Sequence, residues 1–127
     1  MEEAVAPLLG LTTMLAGVCL LQHVLTGRGA SDALGPNRLV GIKMRATLSS
    51  DAAWRAGHAA AQPALRTAWV GGLVGVAVLG SWWLAVRDEP PRLLVVACAL
   101  LLTSVAASFA AAVRRAEAAA RRVVGGG

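Results

Sequence analysis

The residues that could do chemistry in this 127-residue chain crowd into one stretch. It runs Gly35-Pro36-Asn37-Arg38-Leu39-Val40-Gly41-Ile42-Lys43-Met44-Arg45-Ala46-Thr47-Leu48 and is followed by Trp54 and His58. Asn37 and Gly41 are turn formers, and Gly41 can take backbone angles closed to other residues or admit a close backbone approach. They either shape a pocket or make an ordinary connecting turn. Lys43 and Arg45 stand two apart, so in an extended segment they point the same way. With Arg38 and Arg55 they form a basic set. Arg grips a phosphate through two parallel hydrogen bonds, whereas Lys acts as a point charge. Such a set suits a phosphate-bearing lipid headgroup or an acidic partner. It serves equally as plain anchoring, at about 1 kcal/mol per charge beside an anionic membrane surface.

Ser49-Ser50-Asp51 supplies a helix N-cap, and Asp51 in the first turn suits the helix dipole. The pattern predicts a short helix from Asp51 to about Gln62, where Pro63 stops it. On that helix Trp54 and His58 are four apart and share a face. A single Trp on an Ala-rich helix predicts that it lies at the headgroup level. His58 is either a proton-responsive site or a ring that packs on Trp54 and hydrogen-bonds the loop. From Thr26 to Asn37 the glycines, Ser31, Asp32 and Pro36 predict irregular chain with a turn at Pro36-Asn37.

The elements that must position this stretch are apolar. Hydrophobic residues make up 57% of the chain, against about 45–50% for a soluble domain, so the bilayer is the expected solvent. Residues 4–25, 67–86 and 93–113 each have the roughly 20 residues a crossing needs and contain no Asp, Glu, Lys or Arg. The fold class read from this is an all-α integral membrane protein, one membrane domain over 1–127. It has three transmembrane helices and the short interfacial helix within the 26–64 loop. The tail, 114–127, is expected to continue the third helix. The acidic leader Met1-Glu2-Glu3 is unlike a signal peptide's basic start, so the first span reads as a retained helix. Small-residue stripes, Gly71-xxx-Gly75 and Ser104-xxx-Ser108-xxx-Ala112, predict close helix packing within one chain or in a homo-oligomer.

Charge sets the expected orientation. Arg28, Arg38, Lys43, Arg45, Arg55 and Arg66 lie between the first two spans, and Arg114, Arg115, Arg121 and Arg122 in the tail. Only Arg87 and Arg92 lie on the other side, beside Asp88 and Glu89. This predicts a multi-pass protein of the bacterial plasma membrane with its N-terminus outside and the loop and C-terminus cytoplasmic. Arg38, Arg55, Arg66, Arg114 and Arg115 then form a basic membrane-surface set. Trp69, Trp82 and Trp83 fit aromatic belts, and Asp88-Glu89-Pro90-Pro91 reads as a tight outer hairpin. The net charge of +5 does not signal nucleic acid, because the basic residues cluster beside apolar spans. Cys19 and Cys98 lack any metal or redox spacing, so no metal or cofactor is expected. The spans carry no ionisable residue for proton-driven transport, and no catalytic set is visible, so an enzyme or exporter is not expected.

The order Pro36-Asn37-x3-Gly41-Ile42-Lys43, Thr47-Leu48 and Trp54-x3-His58 resembles the signature of the SdpI family of small bacterial membrane proteins. The resemblance implies immunity against a membrane-active peptide toxin, with signalling of its presence to a cytoplasmic regulator. Its motif positions Asn37, Gly41, Lys43, Thr47, Trp54 and His58, with Arg45 of the basic set, are the expected ligand- or partner-binding residues. Lys43 stands where Arg is commoner in the family, and Ala59 where a second basic residue is frequent. Partners expected are membrane lipids, a peptide toxin or a cytoplasmic regulator. The alternative is a non-catalytic accessory subunit of a larger envelope enzyme or transporter.

Overall fold

The computed structural model describes residues 2–31, 33–37, 39, 41–86 and 92–126. After one short 3-10 turn, Glu2–Ala4, three helices follow: α1 (Val5–Ala30), α2 (Asp51–Ala85) and α3 (Arg92–Gly125). No strand occurs among the described residues. All three helices are long and apolar enough to cross a membrane. The 88–91 hairpin lies outside the described residues, as does Arg38.

The helices run antiparallel in chain order. Gly27 of α1 meets Gln62 of α2 while Ala16 meets Gly72, and Gly57 of α2 meets Ala116 of α3 while Gly75 meets Leu101. Helix α2 is central and packs on both neighbours, whereas α1 and α3 touch less extensively. One end of the bundle is sealed by Val5, Leu9, Leu94 and Cys98, with Trp82 and Trp83 against them. The middle holds Cys19, Ala68 and Val105. The other end holds Ile42, Ala61, Ala64, Leu65, Ala112 and Ala116. Outward side chains such as Val78 (62% exposed) and Leu100 (65%) suit a lipid surround. There, packing of small residues rather than the hydrophobic effect brings helices together.

Three expectations need correction. First, α1 does not stop at residue 25 but continues to Ala30. Gly27 and Gly29 read as loop signals, yet Gly29 is glycine because helix meets helix there: a Cβ would lie 2.9 Å from the His58 ring. Second, the short interfacial helix is absent. Pro63 sits inside a single 35-residue helix that fuses it to the second span. Proline in a helix interior forfeits one hydrogen bond and costs about 3 kcal/mol. Packing on both sides offsets that cost, because Ala61, Ala64 and Leu65 around Pro63 are all buried. Third, Trp54 is not presented outward from the helix, since it is 1% exposed and packed inside the bundle.

The N-cap is where it was expected. The Ser50 hydroxyl accepts from the Ala53 N–H at 3.1 Å. The basic tail does continue α3, as far as Gly125. At about 1.5 Å per residue α2 and α3 exceed 50 Å, against a hydrocarbon core of about 30 Å. Charged Asp51, Arg55 and Arg66 place the surplus of α2 before residue 67. A helical head therefore projects from the apolar spans, and the motif belongs to it.

Candidate functional site

The motif forms a clasp that ties the 31–50 connection to the head. Trp54 and His58, one turn apart on α2, have ring centroids 3.9 Å apart. Trp54 Nε1 donates to the Leu34 carbonyl at 2.7 Å. The His58 Nδ1 faces the Trp54 carbonyl at 2.7 Å. A carbonyl only accepts, so the proton is on Nδ1. Nε2 is then a lone-pair acceptor, and it takes the Ile42 N–H at 3.1 Å. His58 is 0% exposed. Burial pushes its imidazole below the ordinary value, and the Trp54 carbonyl pulls more weakly the other way. With both nitrogens engaged by backbone and the ring sealed, His58 presents no nitrogen to a substrate.

Gly41 makes this possible. Its φ is +91°, a conformation open to glycine, and a Cβ there would lie 2.6 Å from His58 Nε2. Buried Thr47 closes the next turn: its hydroxyl accepts from the Met44 N–H at 2.9 Å and lies 2.8 Å from the Ile42 carbonyl, to which it can donate. Gly57 admits this turn to the helices, with Thr47 Cγ2 2.8 Å and the Ala116 carbonyl 3.0 Å from where a Cβ would stand. Asn37 makes the predicted turn, its Oδ1 accepting from the Leu39 N–H at 3.0 Å and its Nδ2 donating to the Gly35 carbonyl at 2.9 Å.

The basic residues are on the outside. Lys43 and Arg45 are exposed, and Lys43 Nζ donates to the Leu39 carbonyl at 3.3 Å. Arg45, with Met44, Ala46 and Ser49, borders a cleft of about 440 Å³ against the α3 tail, where Glu117 pairs with Arg121. Arg55 and Arg66 are exposed on α2, and Arg114 and Arg115 on α3. Gly41, Thr47, Trp54 and His58 thus converge in a buried clasp, whereas Lys43 and Arg45 stand outside it.

Three contributors escaped the reading of the sequence: Gly29, Gly57 and Gln62. Gln62 had a signal, since 54, 58 and 62 share one helical face. Its Nε2 donates to the His23 carbonyl at 2.8 Å and to the Thr26 hydroxyl, fastening α1 to the clasp. Gly29 and Gly57 carry no local mark that separates a close approach from a turn. Among the described residues no His, Cys, Asp or Glu group is arranged to hold a metal.

Fold and site together define a small all-helical protein, with three helices long enough to span a bilayer and a basic head pinned by a Trp–His clasp. Residues 33–111 match the model of the SdpI/YfhL protein family, and the chain belongs to that family. The match includes every clasp residue on the 33–50 connection and on α2; Gly29 and the α3 tail lie beyond it. No curated protein and no solved structure matches the chain.

Proposed function

We propose that this chain is a non-catalytic protective protein of the bacterial plasma membrane. It shields the cell from a membrane-active peptide toxin, or signals its presence, through the basic surface that the clasp holds in place. One observation carries the reading: the motif is divided into a buried half that fastens and an exposed half that faces outward. Trp54, His58 and Thr47 are buried and spent on backbone groups, so among the described motif residues the exposed charges that can meet a partner are Lys43 and Arg45. Family membership supports the protective role. The crowding of basic residues at one end of the bundle supports a cytoplasmic placement of the head, where anionic headgroups and acidic partners lie.

The test is a toxin challenge of cells expressing the parent, a Lys43→Ala/Arg45→Ala variant, or neither. Two charges at about 1 kcal/mol each correspond to roughly thirtyfold in surface affinity. The double variant should therefore insert normally and protect poorly. Equal protection by the variant removes the surface from the mechanism, and no protection by the parent removes the immunity role.

A second reading, an accessory subunit, is favoured by small residues that face outward. Gly71 and Ser104 are exposed, and a Cβ at Gly71 would meet nothing within 4 Å. Purification in mild detergent with intact-mass analysis separates the readings, because a stoichiometric protein partner appears only under the second.

A further inference from the structure

A second polar feature borders the clasp at Gln62, in the groove between α1 and α2. His23, Gln62, Pro63, Arg66 and Thr67 line an open cleft of about 540 Å³. The Gly27–Gln62 and Ala16–Gly72 approaches bracket it along the helices. The cleft therefore lies where the charged part of α2 gives way to the apolar span. Among the described residues no carboxylate lines it. Arg66 is exposed and makes no hydrogen bond or ion pair with any described residue. Gln62 is committed to the His23 carbonyl and Thr26, so the two helices are fixed relative to each other at this point.

At the same height three polar atoms are buried with no hydrogen-bond partner among the described residues: Gln22 Oε1, His23 Nδ1 and Trp69 Nε1. Each such orphan costs free energy. The His23 ring rests against Trp69, with centroids 6.1 Å apart. With Nδ1 sealed, Nε2 is the ring nitrogen left to meet a ligand in the cleft that His23 lines. On the bilayer side the same faces turn apolar. Val70 and Val74 follow Arg66 at helical spacing and are 37% and 58% exposed, and Leu20, one turn from His23, is 36% exposed.

We infer that this cleft binds the phosphate of an anionic phospholipid, with Arg66 gripping the phosphate oxygens, His23 donating a further hydrogen bond, and an acyl chain lying along Leu20, Val70 and Val74. Free phosphate would engage only the polar half, whereas a lipid engages both halves. The site is separate from the Lys43–Arg45 surface, and its test leaves that surface intact.

Native mass spectrometry of the full chain released from detergent tests it, with phosphatidylglycerol, diacylglycerol of the same chains and inorganic phosphate as probes. Phosphatidylglycerol should bind in preference to both other probes. Arg66→Ala should weaken it at least about tenfold, and His23→Phe, which keeps a ring against Trp69, about fivefold. Arg122→Ala, an equal charge loss on the α3 tail, should change it less than about twofold. Equal binding by Arg66→Ala and the parent overturns the site. Diacylglycerol or inorganic phosphate binding as tightly as phosphatidylglycerol overturns the assignment to a phospholipid.

Discussion

Both nitrogens of the His58 ring serve the backbone, Nδ1 the Trp54 carbonyl and Nε2 the Ile42 N–H. A second proton has no place: it would set N–H against N–H at Nε2 and charge a fully buried ring. Burial accordingly holds the imidazole below its usual value. Above about pH 6.5 the ring is neutral in folded and unfolded chain alike, and the clasp contributes in full. As pH falls through that value the unfolded chain takes up the proton first, so stability declines until the lower folded value is passed. The thermal midpoint of the detergent-solubilised protein should therefore fall between about pH 7.5 and pH 5. His58→Gln should be less stable at neutral pH, by about 2 kcal/mol, and should show a shallower fall. Parallel slopes for the two proteins would exclude His58 as the titrating group. The shared face of Trp54 and His58 was legible from their spacing of four. Their burial was not, because the residues that bury them, Gly29 and Gly41, come from elsewhere in the chain.

Helix α2 shows where local signals stop being reliable. Its apolar half was plain from hydropathy and its start from the Ser50 cap, but Pro63 read as an end. A proline is a breaker only when nothing else holds the helix, and here α1 and α3 grip it on both sides. The glycines divide in the same way. A stripe at Gly71 and Gly75 was readable as a packing face; Gly75 does meet α3, a Cβ there lying 2.5 Å from Leu101 Cδ1, but Gly72 rather than Gly71 is the glycine that meets both neighbours. A Cβ on Gly72 would stand 2.9 Å from Ala16 Cβ and 3.1 Å from Val105 Cγ2, whereas one on Gly71 meets nothing within 4 Å. Period alone places the stripe to within a residue; which face meets a neighbour is decided by the other two helices. Gly72→Leu should force the helices apart and destabilise the bundle by about 1–3 kcal/mol. Gly71→Leu should leave the thermal midpoint nearly unchanged. If both variants melt alike, α2 does not cross its neighbours at Gly72.

At the scale of the whole molecule, the antiparallel order gathers the C-terminal end of α1, the N-terminal part of α2 and the C-terminal part of α3 into one head. Arg28, Lys43, Arg45, Arg55 and Arg66 are brought together with the four arginines of the tail, while Arg92 sits at the far end. Basic residues resist translocation, so this head should stay in the cytoplasm and Glu3 should lie outside. The native thiols permit a direct check, because Cys19 and Cys98 are both buried and 0% exposed. Glu3 and Ser49 are exposed at opposite ends of the bundle, so a cysteine at either should dominate the labelling. With a membrane-impermeant maleimide, Glu3→Cys should label in intact cells and Ser49→Cys only after permeabilisation. Labelling of Ser49→Cys in intact cells would put the clasp and its basic loop on the outer face. Lys43 and Arg45 would then face the exterior rather than cytoplasmic headgroups or regulators, and protection would have to act where the toxin arrives.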